Sequence, residues 1–317
     1  MSIVWLNNEF LEDSAANISL RDAGLLHAAG VFTTMRSYGG KVFRLDLHLQ
    51  RLRRSCEALF IPLQYKDEVL LKATEELLRR NDLPEARLRL TVTRGVADQD
   101  PLHGLRLSPT AFLTATELSP YPKEYYERGL TVILLDDQKL NPHDLQAGHK
   151  TLNYFSRLAA LRAANQRSAG EALWFNVHHY LQSDAAADPS NTGRKWAGGN
   201  LQSGSISNVF LIESGRLVTP PTADDLKATP DNPEKSAVLP GVTRAVVIEL
   251  AKAAGLEVET TTVDVNRLLA ADEIFLTNSI MGLMPVCRIE RHAVGNDRPG
   301  QVTRQLMDLY AEAVAGG

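Results

Sequence analysis

The amino-acid sequence predicts an α+β (mixed α/β) fold in two domains. Three observations lead there. The chain has 317 residues, more than one ordinary hydrophobic core holds. Along it, a two-residue apolar period gives way repeatedly to a period near 3.6, the marks of strands and of amphipathic helices. Between them, residues 119–125 are stiffened by Pro120 and Pro122 and offer little to a core, so they read as an interdomain linker. The expected small domain covers residues 1–118 and the large one 126–317.

SIVWLNNEFL reads as a strand, a turn at Asn7-Asn8 and a second strand. GVFTTMRSYGGKVFRL repeats that form around Gly39-Gly40. Leu45, Leu49, Leu52, Cys56 and Leu59 then make one helical stripe, with His48, Arg51 and Ser55 expected roughly opposite. Residues 66–81 read as another helix. In ARLRLTVTRG, Leu88, Leu90 and Val92 take one face and Arg87, Arg89 and Thr91 the other. TAFLTATEL is a further strand.

Past the linker, LTVILL, ALWFNV, SISNVFLI and EIFLT read as strands, and residues 151–165, 243–254 and 302–314 as helices. The first of these helices carries Leu152, Phe155, Leu158 and Leu161 on its apolar stripe. Such a mixture does not suit an all-parallel doubly wound sheet. Residues 183–200, SDAAADPSNTGRKWAGGN, are small, polar and punctuated by Gly and Pro, and read as a surface insertion.

Composition narrows the function. A net charge of -4 exerts no general pull on nucleic acid or acidic membranes. No run of about 18 apolar residues exists to span a bilayer. Cys56 and Cys287 are the only cysteines and form no CxxC or Cys/His cluster. No disulfide framework or metal is therefore expected, and a reduced cytoplasmic setting is. The first twenty residues include Glu9, Glu12 and Asp13 and lack an apolar core, so no signal peptide is expected.

The chemistry centres on HKTLNYFSRLAALRAA, residues 149–164. The spacing puts Lys150 at or just before a helix start, where the unpaired N–H groups repel a positive charge. A lysine there is either an ordinary solvated side chain or, with its pKa depressed by the helix start or a neighbouring cation, a nucleophile toward an aldehyde, and position alone does not decide between them. In LPGVTRAVVIELA, Gly241 precedes a helix whose first amides, Val242 and Thr243, point outward and suit a phosphate. Thr277, Asn278 and Ser279 form a small polar turn after a strand, and Arg51 is a candidate phosphate clamp.

The order and wording of five motifs, RDAGLLHAAGVFTTMRSYGGKVFRLDLHLQRL, HKTLNY, GSISNVFLI, LPGVTR and TNSIMGLMPV, resemble the class IV aminotransferases, the fold-type IV pyridoxal-phosphate enzymes. That family includes branched-chain and D-amino-acid aminotransferases and 4-amino-4-deoxychorismate lyase. The resemblance implies pyridoxal 5'-phosphate as cofactor, in a cleft between the two domains of a homodimer. It implies that Lys150 forms the Schiff base and shuttles the proton at the substrate α-carbon. It places Arg51, the Val242 and Thr243 amides, and Ser279 with Ile280 at the phosphate. Leu239 would pack on the pyridine ring. Tyr154 matches, within one residue, a tyrosine that bonds the ring hydroxyl. Phe32 would line the substrate pocket, and Arg89 is a candidate for a substrate carboxylate.

Two departures stand out. The family usually has a glutamate at the pyridine nitrogen, and here that position is Ser203, with Ser183 the competing candidate. Three outcomes stay open: an acid such as Asp184 or Asp188 replaces it, the ring works neutral, or turnover is weak or absent. Thr33 stands where aminotransferases often have glutamate, and FTT is closer to the lyases. The leading expectation is amino-group exchange between an amino acid and a 2-oxo acid. Its rivals are a lyase releasing pyruvate and a cofactor-binding relative without turnover.

Overall fold

The protein is described from a computed structural model. The description covers residues 2–100, 104–177, 199–226 and 235–316, with the backbone alone at 99–100, 104–105 and 136–137. The expected insertion, with Ser183, Asp184 and Asp188, lies almost wholly outside the described residues.

The first half builds one antiparallel sheet. Its strands are Ile3–Leu6 (β1), Glu9–Glu12 (β2), Gly30–Tyr38 (β3), Lys41–Val42 (β4), Ala86–Asp100 (β5) and Gly104–Glu117 (β6), in the order β2-β1-β6-β5-β3-β4. A short helix, Ala23–His27 (α1), precedes β3. Helices Leu45–Ala58 (α2) and Asp67–Asn81 (α3) cover one face, burying Leu49, Leu52, Leu70 and Leu77 against Met35, Leu88 and Leu90. The alternation in β5 therefore holds: its leucines face that core, and Arg87 and Arg89 face a cavity on the other side.

Chain segment 119–122 has no regular structure, and Lys123–Arg128 (α4) is helical, which shortens the irregular part of the expected linker. Tyr126 anchors α4 by donating its hydroxyl to the Met281 carbonyl at 2.9 Å.

The second sheet contains Leu130–Leu140 (β7), Glu171–Asn176 (β8), Leu201–Gly204 (β9), Asn208–Glu213 (β10), Arg216–Thr219 (β11), Val258–Thr260 (β12), Glu273–Asn278 (β13), Gly282–Ile289 (β14) and His292–Ala293 (β15). Their order is β12-β11-β10-β13-β14-β7-β8-β9, with β15 on β14. Strand β7 runs parallel to both β8 and β14, and β11 to β12, while the other pairs are antiparallel. Phe155–Gln166 (α5) packs on β8 and β7; Val242–Ala253 (α6) and Gln301–Ala315 (α8) cover β13 and β14; Val265–Leu269 (α7) completes the set. Phe210 and Phe275, fully buried, stack with ring centroids 5.0 Å apart under α6 and α8.

Four expectations need correction. Helix α5 begins at Phe155, not at residue 151, so Lys150 is not at a helix start. Residues 150–152 instead pair with β3: Phe32 N donates to Lys150 O, Leu152 N donates to Gly30 O, both at 2.9 Å, and Thr151 bridges Val31. The expected stripe of α5 is not its covered face, since Ala160 and Ala164 are buried while Phe155 and Leu158 are exposed. Close packing on β8 selects the small side chains. On α2, His48 and Ser55 lie beside the apolar stripe, not opposite it, and both are buried. Finally, SISNVFLI divides: residues 205–207 form a bend and the strand starts at Asn208.

Candidate active site

A cavity of about 940 Å³ opens between the two sheets. The expected site residues all line it: Phe32, Arg51, Arg89, Lys150, Tyr154, Ser203, Leu239, Val242, Thr243, Ser279 and Ile280. They come from both halves of the chain.

Lys150 is fixed through its backbone by β3. Its Nζ donates to the Tyr154 hydroxyl at 3.3 Å and lies 4.6 Å from the centre of the Phe32 ring. Burial, and then the guanidinium groups of Arg51, Arg157, Arg89 and Arg87, push its pKa well below that of an ordinary lysine. The expected depression is present, but its cause is desolvation amid cations and not a helix terminus. Among the described residues, none of those four arginines has a carboxylate ion-pair partner.

Three structures converge as an anion cradle. Arg51 is held by donation from Nη2 to Thr33 Oγ1 at 2.9 Å and from Nη1 to the Pro240 carbonyl at 3.3 Å. Thr33 is in turn 2.8 Å from His48 Nδ1. Since Arg51 can only donate, the Thr33 hydroxyl is free to donate to His48, whose imidazole burial holds in the neutral form. Burial pushes Arg51 down to about 10, so it remains charged at neutral pH. The second structure is the start of α6. Its first helical donor, Ala245, reaches back to Gly241 O at 3.0 Å, which leaves the earlier amides of Val242 and Thr243 outside the helical ladder. Gly241 is needed there because a Cβ would come within 2.0 Å of Asn208 Oδ1. The third is the turn after β13, where Asn278 Oδ1 accepts from Ile280 N and Met281 N, each at 2.9 Å, and presents Ser279.

The opposite wall is made by β9 and the bend after it. Glu171, 2% exposed, lies behind this wall at the head of β8. Its carboxylate accepts from Ala172 N, Ser205 N, Ile206 N and Ser207 Oγ at 3.0–3.3 Å. Burial raises its pKa, and those donors oppose the rise. Arg157 Nη1 donates to the carbonyls of Gly204 and Ser205. Trp174 Nε1 donates to Ser205 Oγ at 3.0 Å. Gly204 admits no side chain, because a Cβ would meet Ser207 Oγ at 2.1 Å. Toward β5, the Arg89 guanidinium sits 3.6 Å above the centre of the Phe32 ring and donates to Thr91 Oγ1.

Sequence reasoning passed over Glu171, Arg157 and the burial of His48. Two signals were available. Glu171 opens a strand whose next four residues, Ala172 to Phe175, are apolar, and Arg157 lies three residues after Tyr154 and seven after Lys150.

The donor set suits a compound that carries an aldehyde at one position and a phosphate at another. The comparisons with known proteins agree. A model of the family described as amino-transferase class IV matches residues 30–187 and 197–289. A Methanocaldococcus jannaschii protein provisionally named a branched-chain-amino-acid aminotransferase is 32% identical over 98% of this chain and 95% of its own length. The aminodeoxychorismate lyase of Bacillus subtilis is 28% identical over 98% of this chain and 94% of its own. A T.th. branched-chain amino acid aminotransferase, solved with pyridoxamine 5'-phosphate, superposes with a TM-score of 0.81 at 25% identity, covering 99% of this chain and 94% of that one.

Proposed function

The chain belongs to the class IV aminotransferase family, and from that premise we propose that it exchanges an amino group between an amino acid and a 2-oxo acid in the cavity described above. Class IV aminotransferases use pyridoxal phosphate, and the residues present suit that group. Arg51, the Val242 and Thr243 amides, Ser279 and Ile280 would hold its phosphate; Tyr154 would meet its ring hydroxyl, and Leu239 would flank the ring. When bound, the cofactor supplies an aldehyde for the amine and a conjugated ring that stabilises negative charge at the substrate α-carbon.

The chain's own contribution is positional and electrostatic. Lys150 Nζ, its pKa lowered by burial and four neighbouring cations, is the group that would take and return the α-proton. Tyr154 orients it through the 3.3 Å contact. Arg89, stiffened on Phe32, and Arg87 beside it on β5 face the cavity as sites for substrate carboxylate. The carrying observation is the partly buried amine of Lys150 lining the same cavity as a ready-made anion cradle.

Two finer readings go with this one. Exposed Leu25 and Leu26 on α1 and Phe155 and Leu158 on α5 support a homodimer. Two buried free cysteines suit a reducing cytoplasm. A lyase reading is favoured by one observation, the short Thr33 in place of a longer acidic side chain at Arg51.

Absorbance spectra with a panel of L- and D-amino acids test the function. An aminotransferase converts bound cofactor to its pyridoxamine form on addition of donor alone. A lyase releases pyruvate without an acceptor. A chromophore that no donor changes would refute the aminotransferase, and no pyruvate from a chorismate-derived amine would refute the lyase.

A further inference from the structure

Ser203 sits on β9, is 3% exposed, and lines the cavity. Its hydroxyl has no hydrogen-bond partner among the described residues. Around it the other polar groups are engaged. Ser205 Oγ accepts from Trp174, Ser207 Oγ donates to Glu171, and Asn208 Nδ2 donates to the Leu239 carbonyl. Buried hydroxyls are rarely left unpaired, so this one is provided for something that enters the cavity. Thr277, the other unpartnered hydroxyl on the cavity wall, leads directly into the Ser279 turn and so belongs to the phosphate cradle.

This inference rests on the cofactor reading above. In pyridoxal phosphate the ring nitrogen is para to the aldehyde carbon, so it points away from the lysine that engages the aldehyde. A carboxylate at that nitrogen would hold a proton on it; a hydroxyl is far too weak an acid to leave a charge there. No described carboxylate is placed to do the work. Glu171 does not line the cavity, and its oxygens are taken by four donors. Asp144 lines the cavity but is exposed and accepts from Gln146 N. Arg51, Arg87, Arg89 and Arg157 line the cavity, and like charge disfavours a pyridinium.

We propose that Ser203 donates its hydroxyl hydrogen to an unprotonated pyridine nitrogen, so that this enzyme holds its cofactor as a neutral ring. A neutral ring withdraws less charge from the substrate, so proton removal by Lys150 becomes the slow step and Ser203 sets the electronic character of the site.

The test is nitrogen NMR of the full-length holoenzyme reconstituted with pyridoxal phosphate labelled with 15N in the ring, since pyridine and pyridinium nitrogens resonate far apart. The wild type is expected in the neutral class at neutral pH. Ser203→Glu is expected to move the signal to the pyridinium class. Ser203→Ala, which keeps the fold if the bulkier variant does not, is expected to stay neutral, lose the hydrogen-bond shift and bind cofactor about 2- to 10-fold more weakly. A pyridinium signal in the wild type overturns the proposal, as does a spectrum that Ser203→Ala leaves unchanged. Borohydride reduction separates the two levels. A cofactor adduct on Lys150 with a pyridinium signal sinks this inference alone, whereas no adduct on Lys150 sinks the cofactor reading and this inference with it.

Discussion

The two sides of the cavity are built on different plans. On the side of Arg51 and α6, most polar side chains around the cradle are already held by protein, Thr277 Oγ1 being without a partner among the described residues. Arg51 is fixed by Thr33 and Pro240, Asn278 by two amides of its own turn, and Asn208 by Leu239. On the side of β5 and β9, Ser203 has no partner among the described residues, and Arg87 has neither a described ion pair nor a described side-chain hydrogen bond. The first side is preorganised for a group that is always the same. The second leaves hydrogen-bonding capacity for what the ligand brings. On the proposed function, anchoring and chemistry are separated in space, and variants on the two sides should fail in different ways.

Lys150→Ala breaks the comparison at its centre. Activity is expected to fall by roughly 1000-fold or more, with the cofactor still bound through its phosphate, as a single-turnover assay and mass analysis after borohydride would show. Next comes Glu171→Ala. It strands buried donors at Ala172, Ser205, Ile206 and Ser207. Chemical denaturation should register a loss of about 2–4 kcal/mol, with Glu171→Gln recovering part of it.

Arg51→Ala tests the anchoring side. Cofactor affinity is expected to drop about 10- to 100-fold, while turnover at saturating cofactor changes little. Equal losses in both would mean that Arg51 takes part in the chemistry too.

The pH dependence of the cofactor-free protein probes the same amine. Lys150 binds its proton less readily folded than unfolded. Between its lowered value and the ordinary lysine range the unfolded chain holds more protons, so stability rises with pH in that window. The slope contributed is at most about 1.4 kcal/mol per pH unit. Lys150→Met should remove it, and identical pH profiles for the two proteins would show that the amine is not buried in the neutral form.

The smallest effects are expected on the ligand side. Arg89→Ala should raise the KM for the 2-oxo acid about 10-fold, and Arg87→Ala about 3-fold because that residue is exposed. Cofactor affinity should stay unchanged in both. A reversed order would assign the substrate carboxylate to Arg87.

Much of this was legible in the residues themselves. Both hairpins near the N-terminus, the two-faced strand at Ala86–Asp100 and the helix at Val242–Ala253 follow from local periodicity and turn chemistry. The residues lining the cavity were legible because five motifs occur in a recognisable order. The helix after Lys150 was misplaced at its start because Leu152, Phe155 and Leu158 keep a helical spacing that the tertiary structure does not bury. Glu171 was missed because its partners lie 34 to 36 residues away along the chain, at Ser205, Ile206 and Ser207.

By itself, then, the sequence determined most of the longer strands and helices, which depend on neighbours a few residues apart, and its five motifs pointed to the candidate site residues. Only the tertiary structure decided why the pKa of Lys150 is depressed. Four arginines from three separate segments, at positions 51, 87, 89 and 157, gather around one amine whose backbone is pinned to β3. Desolvation and like-charge repulsion act through space, and no local pattern along the chain encodes that gathering.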